Sequence, residues 1–111
     1  MHMKTLLLAL ALLAGTPAAL AALLVDVRTP AEYAEGHLPG AVNLPLDTLQ
    51  ATIVRHAPDR SSRIELYCRS GRRSAAAAGL LRGLGYRDVH DLGSYTAAAQ
   101  ATNSISCKKE C

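Results

Sequence analysis

The sequence predicts a single α/β domain: a parallel sheet covered by helices on both faces. Two observations carry this. Short apolar runs with β-branched residues alternate along the chain with segments of helical spacing, the pattern that gives parallel strands joined by helical crossovers. A cysteine, Cys68, also closes one such run and is followed by a short loop and an alanine-rich segment. That order of strand, loop and helix suits a parallel sheet with a site at the carboxyl ends of its strands.

The elements follow in order. Leu23-Leu24-Val25-Asp26-Val27 reads as a buried strand. Thr29-Pro30-Ala31-Glu32 supplies an N-cap, a proline at the first helical position and a capping-box glutamate, so a short helix runs to about Glu35 and stops at Gly36. His37-Leu38-Pro39-Gly40 is a turn, and Ala41-Val42-Asn43-Leu44 is a second strand ended by Pro45. Leu46, Leu49, Ile53 and Val54 fall at helical spacing, which predicts a helix over 47–56. A strand over 63–67 precedes the cysteine loop, and a helix over 75–84 follows it, with Gly85 as its left-handed cap. Val89-His90-Asp91-Leu92 is the last strand, and a small helix runs from Tyr95 to about Ala101.

The domain is expected to span 22–102. Residues 1–21 read as a secretory signal peptide: Lys4 precedes an apolar block over 6–14, and Ala19-Leu20-Ala21 is a cleavage site. An uncleaved anchor or a buried helix is the alternative. Export to the periplasm follows from the first reading, with no membrane attachment after cleavage. Residues 103–111 form a polar tail expected to be disordered.

Composition excludes some functions. The net charge is only +3, and three arginines cluster within the cysteine loop, so the positive field is read as a property of a site and not of the whole surface. Phe and Trp are absent, which leaves no stacking platform for single-stranded nucleic acid. No nucleic-acid partner is expected, and the domain is expected to be monomeric. His56 and His90 show no metal-ligand spacing with any cysteine, so neither a metal nor another cofactor is expected.

Three cysteines cannot all pair within one chain, and Cys107 and Cys111 lie together in the tail, leaving Cys68 as the odd thiol. A free thiol in an exported protein points to reactivity. Cys68-Arg69-Ser70-Gly71-Arg72-Arg73-Ser74 places that thiol before a helix N-terminus, where backbone N–H groups and the helix dipole stabilise an anion. Gly71 permits the positive backbone angle that a tight anion-binding loop requires. Arg69, Arg72 and Arg73 are candidates for binding an anionic ligand, with Arg72 preferred because it lies across the loop from the thiol. Cys107 and Cys111 could exchange with Cys68 or re-reduce it, although an inert tail is the favoured reading.

Three segments resemble the rhodanese-domain family. Leu23-Leu24-Val25-Asp26-Val27-Arg28-Thr29-Pro30-Ala31-Glu32-Tyr33 is similar to its opening signature, His37-Leu38-Pro39-Gly40-Ala41-Val42-Asn43-Leu44-Pro45 to its second, and the Cys68 loop to its active-site loop. The resemblance runs from about Leu23 to Tyr95 and is closest to small single-domain periplasmic members of the phage-shock-protein type. It implies a five-stranded parallel sheet flanked by helices. It also implies a thiosulfate:cyanide sulfurtransferase in which Cys68 carries a persulfide from thiosulfate to a thiophilic acceptor, cyanide or a thiol. By the same resemblance Arg69, Ser70, Gly71, Arg72, Arg73 and Ser74 form the substrate-binding loop. Where the family often has a Gly-Gly pair and a bulky aromatic, this chain has Gly93-Ser94-Tyr95.

Asp26, Arg28, Glu32 and His37 border this region. For Asp26 and Arg28 the favoured role is to tie the first loops together through hydrogen bonds and an ion pair with Glu32, since charges are rarely buried unpaired. His37 is expected to fix its own loop. Two rival functions remain open on the sequence. One is a non-catalytic persulfide carrier or redox-responsive binding module. The other is a phosphatase or arsenate reductase of the cysteine-loop type, whose loop is one residue longer; here Ser74, not an arginine, stands six positions after the cysteine.

Overall fold

A computed structural model describes residues 21–110, with side chains through Asn103. The expected leader over 1–21 lies outside the described residues except for Ala21, as do the Cys107 side chain and the whole of Cys111.

Strand β1 (Leu23–Asp26) is followed by helix α1 (Pro30–Glu35), and Thr29 and Glu32 form the reciprocal capping box that the sequence predicts. Strand β2 (Val42–Asn43) is short because Pro45 lacks the N–H to continue the ladder. A 3-10 turn (Leu46–Thr48) opens into α2 (Leu49–His56). Strand β3 (Arg63–Tyr67) leads through the cysteine loop into α3 (Arg72–Gly83), and β4 (Asp88–Gly93) into α4 (Tyr95–Glu110).

The sheet is parallel with strand order β2-β1-β3-β4. The family resemblance implied five strands; among the described residues there are four. Within residues 21–110 no further apolar, β-branched run is present to build another strand. The period-2 alternation of the strands divides the core. Val25, Ile64, Leu66 and Val89 pack with Leu49, Ile53, Ala77 and Leu81 on the α2/α3 face. Leu24 and Tyr67 pack with Tyr33, Leu38 and Ala98 on the α1/α4 face. Helices therefore cover both faces.

Two boundaries differ from expectation by three residues or more. Helix α3 begins at Arg72, three residues earlier than its alanine run, because Gly71 turns the chain at φ +101° directly into the first helical turn. Helix α4 continues to Glu110, past Ala101 and through the segment 103–110 expected to be disordered. The residues from 95 to 110 contain neither Gly nor Pro to stop it. Among the described residues, no helix is long and apolar enough to cross a membrane.

Beyond β1 the chain runs to β2 on one side, then crosses to β3 and β4 on the other. The crevice between the carboxyl ends of β1 and β3 is thus the topological switch point, where open α/β sheets place their ligands. The Asp26–Arg28 segment forms one bank of that crevice and the Cys68 loop the other.

Candidate active site

The cysteine loop is held at both ends by main-chain bonds. A register shift between β3 and β4 places Gly93 opposite Tyr67, with Leu92 as the extra residue. That offset brings the Gly93 carbonyl to the Cys68 N–H at 3.1 Å. Farther round, Ser70 and Ser94 form an isolated bridge, and Tyr95 N–H donates to the Arg69 carbonyl at 3.2 Å. Ser94 also accepts from the Ala97 N–H through its hydroxyl at 3.1 Å, capping α4 where the family's second glycine would stand.

Cys68 is fully buried, and its sulfur accepts from the Gly71 N–H at 3.0 Å and the Ser74 N–H at 3.4 Å. The first N–H groups of a helix have no intrahelical partner. Because α3 starts at Arg72, the Ser74 N–H is one of these and is free to point at the sulfur. The buried Ser74 hydroxyl lies 3.1 Å from the Gly71 carbonyl and 3.4 Å from that of Gly93, locking loop and strand together. Burial pushes the Cys68 thiol up, but donation from Ser74 and Gly71, with Arg73, outweighs it and holds the thiol below the ordinary cysteine range. The geometry therefore favours a sulfur anion.

The loop arginines divide. Glu32 receives Arg73 in a bidentate pair, Nη1 to Oε1 at 2.8 Å and Nη2 to Oε2 at 3.0 Å. Arg69 Nε donates to the same Oε2 at 3.1 Å. Arg72 is exposed and makes no ion pair among the described residues. Ser70 is exposed, and Gly71 takes the left-handed conformation that its position requires.

Asp26 and Arg28 form a buried pair of their own. The Asp26 carboxylate accepts from the Arg28 N–H at 2.9 Å, from Nε at 3.0 Å and from Nη2 at 2.7 Å. The Arg28 guanidinium reaches the Gly36 carbonyl at 2.7 Å and lies over the Tyr95 ring, 5.0 Å from its centroid. Glu32 does not join this pair. The expected bond between Glu32 and Asp26 or Arg28 is corrected: its partners are on the cysteine loop, 41 and 37 residues along the chain. His37 stacks on Tyr33 and bonds its carbonyl at 2.8 Å, so it holds its own turn after α1 and does not join the cysteine loop.

Sequence reasoning missed two participants. The Gly93 carbonyl left no sequence signal, because it depends on the β3/β4 register. The Glu32 clamp left a partial one: three arginines in one short loop require a counter-charge, and Glu32 is an acid placed at a loop on the same end of the sheet. A groove of about 680 Å³ opens beside the loop, with Arg28, Thr29, Asn43, Leu46, Asp47 and Arg73 in its walls.

A parallel sheet with a nested, anion-stabilised cysteine at its switch point defines a cysteine-loop α/β protein. The chain belongs to the Rhodanese-like domain family, whose description matches residues 9–101. It is 38% identical over 87 residues to the Thiosulfate sulfurtransferase PspE of Escherichia coli K12, covering 78% of this chain and 84% of that protein. It is 43% identical over 70 residues to a Sulfurtransferase of Allochromatium vinosum, covering 63% of this chain and 64% of that one. Among solved structures it is similar to a rhodanese with anions from E. coli, with TM-score 0.67 and 34% identity, covering 69% of this chain and 91% of that chain.

Proposed function

We propose that this protein is a thiosulfate sulfurtransferase that carries sulfane sulfur on Cys68 to a thiophilic acceptor. Sulfurtransferase activity is the class common to its named relatives. The observation that carries the mechanism is the sulfur held by the Gly71 and Ser74 N–H groups at 3.0 and 3.4 Å. The Cys68 thiolate attacks the outer sulfur of thiosulfate. The sulfur–sulfur bond of thiosulfate breaks, its electron pair leaves with sulfite, and a cysteine persulfide anion remains. The same donors that favour the thiolate favour this anion. Cyanide or a thiolate then attacks the outer sulfur and leaves as thiocyanate or a persulfide, returning the Cys68 thiolate. No proton or redox partner is needed in either step with cyanide.

The arginine arrangement weighs against the phosphatase reading. A phosphate-binding loop needs its arginine turned onto the anion, and here Arg73 is committed to Glu32. Arg72, exposed and without an ion-pair partner among the described residues, is the guanidinium available to the sulfonate end of thiosulfate. Arg72→Gln is expected to raise KM for thiosulfate about tenfold with a smaller change in kcat, the signature of a lost binding contact. Export to the periplasm is part of the same reading and rests on the leader-like residues 1–21.

Thiocyanate formation from thiosulfate and cyanide, measured beside p-nitrophenyl phosphate hydrolysis, tests the proposal. Thiocyanate without phosphatase turnover is the expected result. Phosphatase turnover without thiocyanate would overturn it. Fast transfer to a protein thiol with slow cyanide turnover would instead favour a carrier.

A further inference from the structure

Glu32 is bound more extensively than a helix cap requires. Its Oε1 accepts from the Thr29 N–H at 2.9 Å and from the Thr29 hydroxyl at 3.1 Å, completing the capping box, and from Arg73 at 2.8 Å. Its Oε2 accepts from Arg73 at 3.0 Å and from Arg69 at 3.1 Å. One carboxylate thus joins α1 to both ends of the cysteine loop. Arg73 also immediately precedes Ser74, whose N–H reaches the sulfur at 3.4 Å.

Two consequences follow from elementary electrostatics. The carboxylate cancels one of the two positive charges it gathers, so the field over the sulfur is weaker than three loop arginines would produce. The bidentate fork also fixes the orientation of the first turn of α3, and with it the Ser74 amide. Burial opposes the Glu32 charge, but its donors, Arg73 foremost, hold the carboxyl far below the usual carboxylate range. The carboxylate is therefore charged near neutral pH, where it can hold both arginines.

We propose that Glu32 is a positioning residue for sulfur transfer and sets the anion selectivity of the loop, by engaging Arg69 and Arg73 and leaving Arg72 alone to meet the substrate. The kinetic half of this inference rests on the sulfurtransferase reading; the electrostatic half does not. Without the Glu32 charge, Arg69 and Arg73 would be released to attract anions without discrimination. Sulfate and phosphate would then compete with thiosulfate, while the loosened Ser74 amide would slow the chemical step.

Glu32→Gln is the informative change, because glutamine also completes a capping box and so spares the start of α1. The direct readout is alkylation of Cys68 by anionic iodoacetate against neutral iodoacetamide, which senses the potential at the sulfur whatever the physiological donor. In Glu32→Gln the iodoacetate-to-iodoacetamide rate ratio is expected to rise about threefold or more at low salt and to return towards the wild-type ratio at high salt. In thiosulfate turnover, kcat is expected to fall about tenfold while KM falls and inhibition by sulfate tightens. Glu32→Asp keeps the charge on a shorter arm, so it should retain the wild-type alkylation ratio but lose kcat.

A wild-type alkylation ratio in folded Glu32→Gln, judged by an unchanged circular dichroism spectrum, would overturn the proposal. So would wild-type kcat in Glu32→Asp, which decides the question if Glu32→Gln does not fold. Absence of thiosulfate turnover in the wild-type protein would overturn the sulfurtransferase reading instead, and the alkylation ratio would still decide the role of Glu32.

Discussion

Cys68→Ser is expected to abolish thiocyanate formation, with a loss of about a thousandfold or more in kcat, while leaving the domain folded. Serine occupies nearly the same space, and the Gly71 and Ser74 N–H groups that now reach the sulfur can donate to its oxygen. The fold therefore keeps its loop. Chemistry does not survive, because an alcohol is not ionised near neutral pH and does not form a persulfide. The check is thiocyanate release by both forms beside their thermal melts. Equal rates in the two proteins would end the proposed mechanism.

The thiol's lowered pKa gives the pH dependence. Activity should rise with pH as the thiolate forms, and level off below the value of ~8.5 at which a free cysteine is half ionised. Linkage has the matching sign. The folded state prefers the thiolate, so the stabilisation from this group is present above the unfolded thiol's value and is lost as pH falls through the lower folded one. Alkylation rate against pH measures the first statement, and denaturant midpoints of wild type and Cys68→Ser against pH measure the second.

The largest effect on stability is expected from Asp26→Asn. Asp26 is fully buried, and the Arg28 side chain beside it is only 6% exposed. Asparagine keeps one acceptor oxygen but no charge, so the guanidinium stays buried among neutral partners: that oxygen, the Gly36 carbonyl at 2.7 Å and two aromatic faces. Breaking a buried pair in this way costs about 3 kcal/mol or more. In a domain of this size that lowers the melting temperature by about 10–20 °C. Because Arg28 stands on the bank opposite the Cys68 loop, activity per folded molecule should fall far less than stability does. A melting temperature within a few degrees of wild type would show that Arg28 reaches water when its partner is removed.

Much of this was legible in local sequence. The Thr29–Glu32 capping box marked the start of α1, Pro45 the end of β2, and Gly85 the close of α3. There the Tyr86 N–H bonds the Leu81 carbonyl and the Gly85 N–H that of Arg82, each at 3.0 Å. The thiol between strand and helix located the loop, and Gly71 foretold its left-handed turn. What escaped prediction was set by packing between distant segments. Glu32 carries a strong local signal as a cap, which hid its second attachment to a loop far along the chain. The extent of α4 escaped for another reason: a polar composition suggested disorder, although no helix-breaking residue follows Tyr95. The count of five strands came only with the resemblance; the described residues show four.

The contact between the Gly71 N–H and the sulfur also makes the Cys68 loop report on itself. An amide proton shared with a thiolate is deshielded more than one facing a neutral thiol, so its resonance follows the charge on sulfur. In a nitrogen-labelled sample, the Gly71 cross-peak would shift as the thiol ionises and shift again when a second sulfur atom is loaded. Each stage of the transfer cycle could then be followed in solution by spectroscopy, without a chemical tag on Cys68.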